Sequence, residues 1–182
     1  CIGKWHLGFL KGMRPLDQGF DSYYGVLHNL DRFETVAFEK EGGMPVLRGD
    51  TVERRPAVPA EMTALYTAEA LKFIEANRTR PFFLYLGHAM PHLPFDASPR
   101  FKGKSGRGLY GDAVEELDDS TGQILEKLRV LGLAAVRVDG IRGAGGLGGL
   151  LLEARLLRDR GGLRRFRLFC VGFLSHGINL IP

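Results

Sequence analysis

Cysteine is almost missing from this chain: Cys1 and Cys170 are the only two among 182 residues. That number, with no metal-ligand spacing around either, excludes a disulfide framework and a zinc-finger type of centre. No apolar run approaches the length needed to span a bilayer, which excludes a transmembrane helix. No signal peptide is visible, and the first residue is not Met, so the sequence reads as starting inside a strand. Lysine is absent from residue 134 onward. Residues 1–133 carry 17 Lys plus Arg against 18 Asp plus Glu, whereas residues 134–182 carry 8 Arg against 3 acids. The net charge of +4 is therefore the property of the last quarter alone. That tail carries no recognisable nucleic-acid-binding motif, so its arginines do not make the chain a nucleic-acid binder.

The composition of residues 1–133 suits one α/β unit. Pro59 predicts a helix start, with a mostly apolar stripe at Met62, Leu65, Tyr66, Glu69, Ala70, Phe73 and Ile74 and a stop at Asn77. A second helix is predicted from about Tyr110, with Val114, Leu117, Thr121, Ile124, Leu125, Leu128 and Leu131 as its buried stripe and Gly132 ending it. Pro81 to Gly87 is a short, nearly continuous apolar run, which predicts a strand buried on both faces. Residues 9–58 read as irregular with short strands, among which Pro45 to Arg48 is a strand candidate. Helix, buried strand, loop and helix in that order predict a sheet with helices on its faces. In the tail, 140–149 holds six glycines, too many for a stable helix or strand, and Leu150 to Leu157 reads as a helical turn or two.

The chemistry-bearing residues cluster at two places. In Gly3-Lys4-Trp5-His6-Leu7-Gly8, an extended chain would project Lys4 and His6 to one side while Trp5 and Leu7 pack on the other. An ammonium beside an imidazole can clamp a compact anion with several oxygens. His88 and His92 lie just past the Pro81–Gly87 strand. In α/β sheets ligands gather at the carboxyl ends of strands, so both clusters are expected on one rim. Asp112 and Asp118 read as structural residues of the second helix, and Asp119 as solvated. Trp5, Phe20, Tyr23, Tyr24, Phe82 and Phe83 read as core.

Gly-Lys-Trp-His-Leu-Gly at 3–8 resembles a signature of the sulfatase family. Further landmarks follow in family order: Gly19-Phe20-Asp21-Ser22-Tyr23-Tyr24-Gly25, Pro81-Phe82-Phe83-Leu84-Tyr85-Leu86, His88-Ala89-Met90-Pro91-His92-Leu93-Pro94, and Gly106-Arg107-Gly108-Leu109-Tyr110-Gly111-Asp112. The resemblance is to the arylsulfatase A and N-acetylgalactosamine-6-sulfatase branch, within the alkaline phosphatase superfamily, and it covers roughly 1–133. It implies a sulfuric ester hydrolase acting on sulfate esters of sugars or aryl compounds. It gives Lys4 and His6 the role of contacting the sulfate and His92 that of protonating the leaving oxygen. His88 would line the substrate entrance or stand solvated in its loop.

The same resemblance implies calcium and a formylglycine made from Cys-x-Pro-Ser-Arg. That motif does not occur here, Cys1 sits beside the Lys4 signature and is not the nucleophile, and no calcium ligand can be carried over. The family's size makes this sequence an expected internal piece, inactive alone, from a periplasmic, extracellular or lysosomal enzyme. Two other readings stand beside it: a phosphodiesterase or phosphonate hydrolase of the same superfamily, and a non-catalytic binding remnant with a basic tail. The expected division is a partial catalytic domain at 1–133 and an aberrant tail at 134–182, whose Gly, Arg and Leu bias fits a gene read in the wrong frame.

Overall fold

The computed structural model describes residues 1–31 and 38–133, together with the backbone of 137–141 and 149–153. Five short strands form one sheet: β1 (Ile2–Gly3), β2 (Tyr24–Gly25), β3 (Val46–Arg48), β4 (Thr51–Arg54) and β5 (Leu86–Gly87). Their order is β4-β3-β2-β1-β5, with β2, β1 and β5 parallel and β3 and β4 antiparallel additions at one edge. Among the described residues two α-helices, α1 (Pro59–Ala76) and α2 (Gly108–Val130), accompany the sheet. The architecture is α/β, as the alternation of elements predicts.

Helix α1 starts and ends where its sequence says. Pro59 occupies the first turn, where its missing N–H costs nothing. At the other end Asn77 holds the Phe73 carbonyl twice, by its backbone N–H at 3.1 Å and by its side-chain amide at 2.7 Å. Met62, Tyr66, Ala70 and Ile74 are fully buried and pack with Val26, Leu84, Leu86, Ile124 and Leu128 in one core. Each such large side chain contributes about 1.5–3 kcal/mol by leaving water.

Helix α2 begins at Gly108, two residues before the expected Tyr110, and its buried face is turned relative to the expected stripe. Ala113, Leu117, Ser120, Ile124 and Leu128 face inward, while Val114 is exposed. The first turn is set by Asp112, whose carboxylate accepts N–H bonds from Gly103 at 2.8 Å and Ser105 at 2.9 Å, which hold its pKa below the usual carboxylate range. Asp118 carries no comparable role and is exposed, whereas Asp119, expected to be solvated, pairs with Arg100 at 3.1 Å.

The Pro81–Gly87 run is a strand only at Leu86–Gly87, next to the bridge residue Tyr85. Phe83 is exposed and Phe82 half-buried, so the run enters the core only from Leu84 onward. The strand itself is buried as expected, and the expectation fails only for 81–83, which lie outside the sheet. Trp5, Tyr23 and Tyr24 are core, as expected, and Phe20 lies half-buried against Trp5.

Residues Arg137–Ile141 and Gly149–Glu153 form an antiparallel pair with a sheet of their own. The expectation that glycine excludes strand here, and that Leu150 begins a helical turn, is therefore corrected. Gly140 and Gly149 both take ladder positions, because an antiparallel partner satisfies their backbone groups without needing a side chain. The remaining expectations for the tail lie outside the described residues.

Candidate functional site

Close packing of the parallel strands decides where the site lies. Gly3 and Gly25 have φ of +105° and +152°, and a Cβ on Gly3 would stand 1.9 Å from the Gly87 carbonyl oxygen. A Cβ on Gly25 would stand 2.0 Å from the Gly3 oxygen. Only glycine permits this approach. It lets the backbone ladder continue past the formal strand ends: Lys4 N–H bonds the Gly87 carbonyl at 2.6 Å, and His6 N–H bonds the Leu27 carbonyl at 2.9 Å. The chain segments leaving β2, β1 and β5 therefore start side by side at one rim. They carry His28, Asn29 and Asp31; Lys4 and His6; and His88 and His92, respectively.

Lys4 is 4% exposed, and its ammonium donates to Asn29 Oδ1 at 3.0 Å. Burial lowers its pKa, and the nearby Asp31 carboxylate opposes that shift. The Asn29 amide in turn donates toward Asp31 Oδ2 at 3.4 Å, so carboxylate, amide and ammonium form one relay. The simple alternation expected of 4–7 does not hold. His6 has a φ of +57°, Lys4 and Trp5 are both buried, and Leu7 is 60% exposed. Backbone bonding to the neighbouring strands continues as far as the His6 N–H, and the left-handed turn at His6 swings the following residues outward. A non-glycine residue in that region is uncommon and is found where surrounding structure over-determines it, functional sites among them. The His6 and His28 rings meet edge-on at 6.2 Å, and Phe9 covers His28 at 4.7 Å.

His88 is half-buried against Tyr66, with ring centroids 6.1 Å apart, and its Nε2 lies 3.2 Å from Ser120 Oγ on α2. Burial pushes its pKa down to about 4, so it is neutral in ordinary buffer. This is not a solvated loop histidine. His92 sits beyond the buried pair Ala89 and Met90, in a turn closed by its own N–H to the Ala89 carbonyl at 3.3 Å. Its Nδ1 lies 2.8 Å from the Leu93 carbonyl oxygen. A carbonyl only accepts, so Nδ1 bears the proton and Nε2 is the nitrogen free to exchange one.

Sequence reasoning missed Asn29 and Asp31. The signal was the polar stretch His28-Asn29 immediately after the apolar Tyr23 to Leu27, at the carboxyl end of a strand. Two clefts border Cys1 at the amino end of β1, and neither is lined by Lys4, His6, His88 or His92. Among the described residues no group of three or more His, Cys, Asp or Glu side chains could hold a metal. Asp112 is already committed to loop N–H groups and Asp119 to Arg100. The described residues do not fit a calcium centre. No helix among them is long and apolar enough to cross a membrane.

Residues 1–134 match the sulfatase family. The N-acetylgalactosamine-6-sulfatase of Mus musculus is 41% identical over 144 residues, covering 73% of this chain and 27% of that protein. An arylsulfatase of Hemicentrotus pulcherrimus is 33% identical over 142 residues, covering 70% of this chain and 25% of its own length. The crystal structure of Ps i-CgsB in complex with k-i-k-neocarrahexaose superposes with a TM-score of 0.55 at 27% identity, over 71% of this chain and 33% of that one. The chain thus spans about a quarter of the length of the curated relatives it matches.

Proposed function

The chain belongs to the sulfatase family, and we propose that residues 1–133 form the sulfate-binding and leaving-group side of a sulfuric ester hydrolase. One observation carries this reading: the carboxyl ends of β1 and β5 lie side by side, which brings Lys4 and His6 to the rim from which the His92 turn departs. In this reading the Lys4 ammonium and the His6 imidazole receive the sulfuryl oxygens. Fixed donors in a partly dry site hold the charge of those oxygens without reorganising, while the charge that develops on the leaving oxygen as its S–O bond stretches falls to His92. The Asp31–Asn29 relay holds the Lys4 ammonium in place.

His92 acts as general acid. Its Nδ1–H is tied to the Leu93 carbonyl, which fixes the ring, and the doubly protonated ring delivers its Nε2 proton to the ester oxygen as that oxygen departs as an alcohol, which leaves the neutral Nδ1–H ring. The substrate class is a sulfate ester, and a sulfated sugar follows from the names of the relatives. The family's Cys-x-Pro-Ser-Arg motif does not occur in this sequence and the described residues hold no cluster for calcium, so neither group is assigned to a residue here. Both would be supplied by sequence other than this one.

The test is a chimera in which residues 1–133 replace the matched segment of a full-length N-acetylgalactosamine-6-sulfatase. It is expected to hydrolyse an aryl sulfate, and Lys4→Ala is expected to remove about 10² to 10³ of the rate, the usual effect of deleting one charge-stabilising donor. A folded but inactive chimera, or one indifferent to Lys4→Ala, would overturn the reading.

A further inference from the structure

His88 belongs to a buried hydrogen-bond chain that runs from the rim of the sheet into α1. Thr67 Oγ1 lies 2.7 Å from the Thr63 carbonyl oxygen, Ser120 Oγ lies 2.6 Å from Thr67 Oγ1, and His88 Nε2 lies 3.2 Å from Ser120 Oγ. Thr63, Thr67 and Ser120 are all buried. Counting protons fixes the direction. Three contacts need three hydrogens, the carbonyl supplies none, and each hydroxyl supplies one. The Thr67 proton must go to the Thr63 carbonyl and the Ser120 proton to Thr67, so the third must come from His88 Nε2. The ring is therefore an Nε2–H donor. Its Nδ1, buried and without a partner among the described residues, keeps a bare lone pair.

We propose that His88 is a positioning residue, locked as the neutral Nε2–H tautomer by the Ser120–Thr67–Thr63 chain, that clamps the base of the turn carrying His92 to both helices. Ala89 and Met90, which follow it, are buried, and the His92 N–H closes the turn back on Ala89. The anchor is thus four residues from the proton donor and one residue past β5. Burial keeps the ring uncharged, consistent with its depressed pKa, for which no neighbouring charge is responsible. His88 shapes the site through His92 and does not itself touch the sulfate ester. This role for His92 rests on the hydrolase reading above, whereas the proton chain does not.

The experiment has one arm for each part. In the 182-residue chain, ring-nitrogen NMR is expected to show His88 with a proton-bearing Nε2 and a bare Nδ1. Thr67→Val deprives the Ser120 hydroxyl of its acceptor and frees its proton to point at His88, so the population is expected to move toward Nδ1–H. Thr67→Ser should keep the wild-type tautomer. A purely packing role predicts no such change. Amide exchange in the 89–92 turn is expected to quicken about tenfold in His88→Leu and to stay near wild type in His88→Gln, which retains a donor for Ser120. In the chimera, His88→Leu is expected to lower kcat by about 10- to 100-fold with KM within about twofold, since small misplacements of a catalytic group carry costs of that size. A wild-type Nδ1–H tautomer, or no response to Thr67→Val, overturns the lock. Unchanged exchange in His88→Leu, or a raised KM at constant kcat, overturns the positioning role. An inactive chimera with the NMR results intact removes the hydrolase reading alone.

Discussion

The Lys4 ammonium and the Asn29 side-chain oxygen meet at 3.0 Å across the carboxyl ends of β1 and β2, joining two segments 25 residues apart in sequence. A charge that is almost wholly covered and held by a neutral amide is a poor device for stability, because its desolvation is only partly offset. It is a good device for gripping an anion.

The two partners therefore respond differently to substitution. Lys4→Met removes a buried charge and is expected to leave stability unchanged or slightly raised, as replacement of buried charges by apolar groups often does. Asn29→Leu leaves the ammonium without its acceptor and is expected to cost about 1–3 kcal/mol. Urea denaturation of both variants checks this. A larger loss in Lys4→Met than in Asn29→Leu would show that the ammonium is structural.

Glycine substitutions test the close strand approach. Gly3→Ala sets a Cβ against the Gly87 carbonyl at a φ of +105°, and is expected to cost roughly 3 kcal/mol or more, from strain and steric displacement together. Gly122 is inside α2, and a Cβ there would meet nothing within 4 Å. Gly122→Ala is expected to add about 0.5–1 kcal/mol, the helix-propensity difference. Opposite signs in denaturant midpoint for two Gly→Ala changes would tie the effect to position.

Much of this was legible in the sequence. The helix over Pro59–Ala76 could be read from Pro59, Asn77 and the period of Met62, Tyr66, Ala70 and Ile74, because all the signals agree. The inward face of α2 could not be read as well. Ser120 is buried and Val114 exposed, since hydrogen bonding to Thr67 and His88 draws a hydroxyl inward where hydropathy alone points to valine. Lys4, His6, His88 and His92 were legible as a candidate set. What was not legible was how the chain turns at His6, because a positive φ at a non-glycine residue is imposed by the neighbouring strands. Asn29 and Asp31 escaped notice because their meaning depends on a strand pairing that no local pattern records.

Acid should reveal His88. Its folded pKa is about 4 against an ordinary value of 6.5, so between these pH values the unfolded chain binds the extra proton. Stability from keeping this ring neutral is fully present above pH 6.5 and is lost as pH falls toward 4. The loss is on the order of 3 kcal/mol, since each tenfold difference in proton affinity between the two states is worth about 1.4 kcal/mol. His88→Gln cannot titrate and is expected to flatten the stability curve across that window. An unchanged slope between pH 4 and 6.5 in His88→Gln would exclude His88 as its source.

The sharpest prediction concerns turnover. Breaking a sulfate ester by displacement at sulfur needs a nucleophile as well as donors for the developing charge, and Cys-x-Pro-Ser-Arg does not occur in these 182 residues. The purified 182-residue chain is therefore expected to bind inorganic sulfate weakly and to hydrolyse no aryl sulfate, with or without added calcium and formylglycine-generating enzyme. In the chimera, which regains a nucleophile from its partner sequence, His92→Ala is expected to lower kcat by roughly 10² to 10⁴, the contribution of a well-placed general acid. The deficit should shrink for aryl sulfates with acidic phenol leaving groups, because a stable phenolate leaves without a proton. A His92→Ala deficit that is the same for good and poor leaving groups would remove the general-acid role. It would leave His92 as a sulfate contact beside Lys4 and His6.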